Sequence, residues 1–246
     1  AKASEEKRKE TELEEARQFQ LDMLPKEIPD VLDLEIAATI QTASEVGGDY
    51  YDFFPQKNGE SLYVAVGDAT GHGMTAGMMV SITKAGLYGI PSIPPNDIAK
   101  RLNRVIKNID LGWNRMAFNM ARFWEGRVEF TSAAMPPAYH YHRETGEVDE
   151  ILIEGLPLGS FKDETFTLVD FEFKQGDSLV FISDGLPEAA NTSEEMLGYE
   201  AVRDCVQANG HQNAEEQKQA LLDLGTVWLG DLRNQDDITI VVVKKK

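Results

Sequence analysis

Asp49, Asp68, Asp184 and the pair Asp236-Asp237 stand where apolar, strand-like runs begin or stop. Side chains alternate faces along a strand. Asp68 therefore shares parity with Leu62, Val64 and Val66, Asp184 with Val180 and Ile182, and Asp236 with Ile238 and Ile240. Each carboxylate is aimed to the same side as a buried row, at the rim of a core. Gly47, Gly48, Gly67, Gly71, Gly73 and Gly185 beside them permit tight turns and close backbone approach. Carboxylates gathered at one rim repel strongly unless a cation neutralises them. Hard oxygen ligands suit Mg²⁺ or Mn²⁺ better than zinc. Ordinary turn chemistry explains any one such Asp; their recurrence in Gly-flanked settings points to metal.

The elements that must position these residues are strands interrupted by helices. Residues 62–66 form a short apolar run closed by Gly67, and 73–88 carry small and apolar residues at helical spacing. Pro95-Asn96-Asp97 opens a second helix through Ile98, Leu102, Val105 and Ile109, stopped by Gly112. Runs 116–124 and 128–134 are joined at Glu125-Gly126 like a hairpin. Runs 139–142 and 148–154 follow, then 166–173 and 178–183, then helices near 199–208 and 214–229, and a last strand at 238–243. A strand such as Leu179-Val180-Phe181-Ile182, apolar on both parities, must be covered on both faces. Two sheets stacked face to face with helices outside each satisfy this.

Residues 2–12 are almost wholly polar, and an apolar stripe then appears at helical spacing: Leu13, Ala16, Met23 and Leu24, widened by Phe19 and Leu21. Pro25 ends that helix. The expected organisation is an amphipathic linker helix over 1–25 and one catalytic domain over 26–246. The stripe either folds back on its own domain or pairs two chains into a switchable homodimer. Ala1 falls inside a charged helical pattern and is not Met, so the chain is expected to be a piece of a longer protein, with either a sensor or a membrane segment open as what lies upstream.

The 246 residues carry 24 Lys+Arg against 42 Asp+Glu, a formal charge of −18. That field repels nucleic acid and anionic membranes. Cys205 is the lone cysteine, which excludes a disulfide scaffold. No apolar stretch approaches the ~20 residues of a membrane span, and a cytoplasmic location is expected.

Glu45-Val46-Gly47-Gly48-Asp49-Tyr50-Tyr51-Asp52-Phe53 resembles the first motif of the bacterial SpoIIE/RsbU-type metal-dependent protein phosphatases. Gly67-Asp68-Ala69-Thr70-Gly71-His72-Gly73 resembles their second, Ser183-Asp184-Gly185 with Glu188-Ala189 their third, and Gln235-Asp236-Asp237-Ile238-Thr239 their last. Order and spacing also match, from about residue 13 to the end. The resemblance implies an α+β, four-layer αββα sandwich of two mainly antiparallel sheets, with a two-metal centre (Mn²⁺ or Mg²⁺) between them. It implies Asp49, Asp68, Asp184 and Asp236 as ligands, with Asp68 bridging, Asp237 as a further candidate and Ala69 offering its carbonyl. The implied chemistry is hydrolysis of a phosphoserine or phosphothreonine by an activated water. Asp68 and His72 are the implied catalytic residues. His72 either donates a proton to the leaving oxygen or only packs a turn. The implied substrate is a phosphorylated anti-sigma-factor antagonist.

The pattern departs from the family at Ser132-Ala133-Ala134-Met135-Pro136-Pro137, where an Ala-Gly-His-x-Pro segment is usual, and at Pro187, where a β-branched or small residue is usual. The first departure leaves open a pseudophosphatase, a binding module of the same fold. Gly-Gly-Asp before an aromatic also resembles a diguanylate cyclase signature, but Tyr50 stands where that signature has Glu. For the substrate phosphate, Arg122 and Arg127 are candidates by charge alone.

Overall fold

The computed structural model describes residues 11, 14, 18, 21–31, 33–43, 47–56, 61–71 and 73–246. The strands are β1 (Leu34–Gln41), β2 (Asp49–Pro55), β3 (Ser61–Ala69), β4 (Met116–Trp124), β5 (Arg127–Ala133), β6 (Ala138–Tyr141), β7 (Val148–Ile151), β8 (Val169–Glu172), β9 (Ser178–Ile182) and β10 (Ile238–Lys245). The helices are α1 (Met74–Gly89), α2 (Pro95–Ile109), α3 (Tyr199–Asn209) and α4 (Ala214–Leu229). One sheet runs β1-β10-β9-β6-β7 and the other β2-β3-β4-β5-β8. All their pairings are antiparallel.

The doubly apolar strands explain the layering. In β3, Leu62, Val64 and Val66 face the other sheet, while Tyr63 and Ala65 face α1 and α2, meeting Met79, Val80, Leu102 and Ile106. In β10, Val241 and Val243 face between the sheets, while Ile240 and Val242 meet Val202 and Val206 of α3 and Leu221 of α4. Phe130 of one sheet and Phe181 of the other, both fully buried, approach ring to ring at 6.1 Å. The result is the expected αββα sandwich. Among the described residues no helix is long and apolar enough to cross a membrane.

Local chemistry sets the boundaries. Glu125 and Gly126 both hold positive φ, 46° and 72°, the two-residue turn that fits a twisted hairpin. Pro95 begins α2 at its first turn, and Asn213 with Glu216 forms a capping box at α4. The sequence pattern does not announce β2, because Asp52 sits in its middle, 2% exposed. That carboxylate accepts from Tyr50 Oη at 2.9 Å and from Lys84 Nζ of α1 at 2.7 Å, so the buried charge is paired. β8 covers only half of the expected 166–173 run.

Of residues 1–25, Thr11, Glu14, Gln18 and 21–23 are helical; Leu13, Ala16 and Phe19 lie outside the described residues. At the end of the stripe, Met23 Sδ receives Ser81 Oγ of α1 at 3.3 Å, and Leu24 packs on the core. This last turn folds back on the domain.

Ala134 holds φ 62°, in the departed segment where the family resemblance leads one to expect glycine. It is exposed, so a glycine there relieves backbone strain without opening a cavity. The left-handed conformation costs a non-glycine residue about 1–2 kcal/mol, partly offset by glycine's greater freedom when unfolded. Ala134→Gly is expected to raise the unfolding free energy by about 0.5–1 kcal/mol in urea denaturation; a destabilised variant would contradict that strain.

Candidate metal centre

β2 and β3 bring the first two aspartates together, since Asp49 stands opposite Asp68 in their register. Asp68, near the end of β3, keeps the parity of Leu62, Val64 and Val66 and faces between the sheets. β9 stops at Ile182 and β10 starts at Ile238, and their ends are held by a side chain. Ser183 Oγ donates to Asp237 O at 3.1 Å and accepts from Thr239 N at 2.9 Å. Asp184 and Asp236 follow at this junction. Their strand parity assigns them to the row of Val180, Ile182, Ile238 and Ile240, which faces α3 and α4, not the inter-sheet core. Both nevertheless line one cavity with Asp68, because the chain turns beyond the strand ends and parity no longer holds.

That cavity, about 490 Å³, is lined by Asp68, Ala69, Thr70, Gly71, Asp184, Gln235, Asp236 and Asp237, with Ala43 and Gly48. Asp49 lies beside it, 3% exposed, its Oδ2 accepting from Thr239 Oγ1 at 2.6 Å. Asp237 is 4% exposed, and both its oxygens are engaged: Oδ1 by Ala43 N and Oδ2 by Gly48 N, each at 2.8 Å. Two glycines make this closeness feasible. A Cβ at Gly47 would overlap the Asp237 carboxylate, and one at Gly185 the Asp237 carbonyl.

Burial, then Asp184 and Asp236, push Asp68 up to about 8. Burial, then Asp236 and Glu188, push Asp184 to about 6. Asp49 is also raised, by burial and then Asp68, against the hydrogen bonds from Thr239 and Ser183. None of the described residues lining the cavity is a cation. The donor set is carboxylate and carbonyl oxygen, which fits a hard divalent cation in place of the missing positive charge.

Residues 58–246 match the family model for stage II sporulation protein E (SpoIIE). The chain belongs to the SpoIIE family. It is 28% identical over 241 residues to phosphoserine phosphatase RsbU of Bacillus subtilis, across 96% of this chain and 70% of that protein. Among solved structures, the SiaA-PP2C domain of Pseudomonas aeruginosa superposes with a TM-score of 0.86 at 20% identity, covering 99% of both chains. The PP2C phosphatase domain of Bacillus subtilis SpoIIE, solved with a fragment of its regulatory domain, gives 0.70 at 18% identity, over 88% of this chain and 64% of that one.

In this SpoIIE-family chain the structure brings Asp68, Ala69, Asp184, Asp236 and Asp237 to one cavity, with Asp49 alongside. His72 and residues 45 and 46 of the first motif lie outside the described residues. Arg122 pairs with Glu129 at 3.4 Å and packs over Tyr63 and Trp124, and Arg127 pairs with Asp170. Both lie toward the hairpin end of β4–β5, while Asp68 pairs with Ala117 at the other end of β4, so neither arginine reaches the cavity. An arginine at the right end is Arg115, whose backbone N donates to Thr70 Oγ1 at 2.8 Å. Its signal was its place two residues before the partner of Asp68. Met135 is buried in the inter-sheet core and is not among the cavity residues.

The raised carboxylates set a pH dependence. The folded chain keeps protons on Asp184 to about pH 6 and on Asp68 to about pH 8, whereas unfolded Asp releases them near 3.8. Between those values the unfolded state binds fewer protons, so stability falls as pH rises. Chelator-treated protein is expected to melt at progressively lower temperature from pH 5 to pH 8, and Mg²⁺ or Mn²⁺ to raise the midpoint more at pH 8 than at pH 5. A cation shift that is equal at both pH values would contradict the assignment.

Proposed function

We propose that Asp49, Asp68, Asp184 and Asp236 hold two divalent cations, Mn²⁺ or Mg²⁺, and that the chain hydrolyses phosphoserine or phosphothreonine in a protein. The family is one of protein serine/threonine phosphatases. The observation that carries the reading is one cavity in which Asp68, Asp184 and Asp236 meet without a cationic side chain among its described lining. Bound there, the ions would supply Lewis-acid charge and an activated water for in-line attack on phosphorus.

The chain's own residues have distinct parts. Asp68 is the proposed bridging ligand, as the SpoIIE/RsbU resemblance implies; beyond burial, Asp184, Asp236, Asp237 and Glu188 all raise its proton affinity, and the Ala69 carbonyl is a further oxygen beside it. Thr239 fixes one oxygen of Asp49 by hydrogen bond. Asp237 has both oxygens committed to backbone amides, so its proposed part is to clamp the loop bearing Gly48 and Asp49 onto the start of β10. His72 is the candidate to return a proton to the leaving serine oxygen.

The proposed substrate is a phosphorylated anti-sigma-factor antagonist, as the SpoIIE/RsbU resemblance implies. The relative named phosphoserine phosphatase supports that class of phosphoester. The net charge of −18 disfavours a nucleic-acid partner. The pseudophosphatase alternative rests on Ala134-Met135; Met135 lies buried in the inter-sheet core and is not among the cavity residues, which supports the enzyme reading.

Phosphate release from a phosphorylated antagonist protein tests the proposal. Activity is expected only with Mn²⁺ or Mg²⁺, and Asp68→Asn is expected to lower kcat by about 10²–10⁴-fold with the fold retained, the loss of several kcal/mol of charge stabilisation. Undiminished turnover in chelator would overturn the mechanism; cation binding with no turnover on any phosphoprotein would favour the pseudophosphatase.

A further inference from the structure

A second group of ligating side chains lies at the opposite end of the sandwich. β6 carries His140, and His142 directly follows its last residue, two positions on along the same line, while Tyr139 and Tyr141 point to the α3 side. Asp177 immediately precedes β9, and Asp184 follows β9. Seven residues at ~3.3 Å each separate the two aspartates by roughly 23 Å along the chain, so this group is independent of the carboxylate cavity.

One ligand atom each of His140, His142 and Asp177 lie within 4.8 Å of one another. The imidazole rings of His140 and His142 sit 4.1 Å apart between centroids. His140 Nε2 is 3.3 Å from Asp177 Oδ2. That is long for an N–H···O hydrogen bond, which favours 2.7–3.2 Å. It is the ligand–ligand edge, roughly 3.3 Å, of a tetrahedron built on metal bonds of about 2.05 Å. Asp177 is 3% exposed and fixed by Arg143 N on Oδ1 and Lys174 N on Oδ2, each at 2.9 Å. His142 Nε2 meets Asp149 Oδ2 of β7 at 2.8 Å, so Asp149 is placed to orient that ring or to add an oxygen. A cleft of about 500 Å³ between this edge and β8 opens onto all four side chains.

We propose that His140, His142 and Asp177, with Asp149 alongside, form a tetrahedral transition-metal site for Zn²⁺. Two imidazoles select a borderline-soft ion over Mg²⁺ or Mn²⁺, which the all-oxygen cavity prefers. The site draws its ligands from β6, the turn before β9 and, through Asp149, β7. An ion there staples the far edge of the sheet whose other strand ends hold Asp184 and Asp236.

The experiment is Zn²⁺ and Co²⁺ titration of chelator-stripped protein, competed against a chromophoric chelator. Asp68→Asn serves as the background that disables the carboxylate cavity. One Zn²⁺ per chain is expected in Asp68→Asn, in addition to whatever the intact carboxylate cavity takes up in wild type, with Co²⁺ giving the intense visible absorption of a tetrahedral complex in both. His142→Ala, at a side chain 32% exposed and so least disruptive, is expected to weaken Zn²⁺ by more than about tenfold. The wild-type cobalt spectrum needs no variant to fold. Stoichiometric Zn²⁺ that survives His142→Ala, a purely six-coordinate cobalt spectrum, or no Zn²⁺ uptake by wild type would each overturn the site and leave His140 a hydrogen-bond donor only.

Discussion

Asp68, Asp184 and Asp236 share one cavity mouth, and their mutual repulsion is the constraint around which that end of the protein is built. Burial first, and then the neighbouring carboxylates, raise the proton affinity of Asp68 and Asp184. Without a cation the fold must either protonate these groups or carry unfavourable charge. Everything that brings them together therefore has to be held by interactions other than their own. The inter-sheet core does most of this, through Val64, Val66, Phe130, Phe181 and Val241.

Fixing strand ends, as opposed to strands, requires different chemistry. Where β9 and β10 end, Ser183 adds its hydroxyl to the backbone bond that its N–H still makes to Thr239 O. Asp237 ties the loop before β2 to β10 with two amide hydrogen bonds. Gly47 and Gly185 leave the space that this carboxylate and its carbonyl occupy. The site is thus a rigid rim whose oxygens are positioned before any ion arrives, a preorganisation that suits electrostatic catalysis.

Much of this was legible in the sequence because burial on both faces leaves apolar residues on both parities, as in β3, β9 and β10. Glu125-Gly126 marked the hairpin and the 214–229 helix was read with its observed bounds. The glycine-flanked aspartates marked the cavity. What failed did so for physical reasons. β2 was hidden because Asp52 looks like a turn residue until Lys84, distant in sequence, is seen to pair with it. Strand parity misplaced Asp184 and Asp236 because it ends where the ladder ends. Asp236 and Asp237 are indistinguishable by type, and only the amides around Asp237 separate a clamp from a proposed ligand. Charge alone chose Arg122 and Arg127, which the register places at the wrong end of β4.

Anomalous diffraction from a crystal equilibrated with Mn²⁺ at pH 8 tests the central claim most directly, because it locates cations without reference to turnover. The account predicts two peaks in the cavity, with Asp68 between them and Asp184 and Asp236 in contact with at least one. An empty cavity, or a lone ion that Asp68 does not touch, would contradict it.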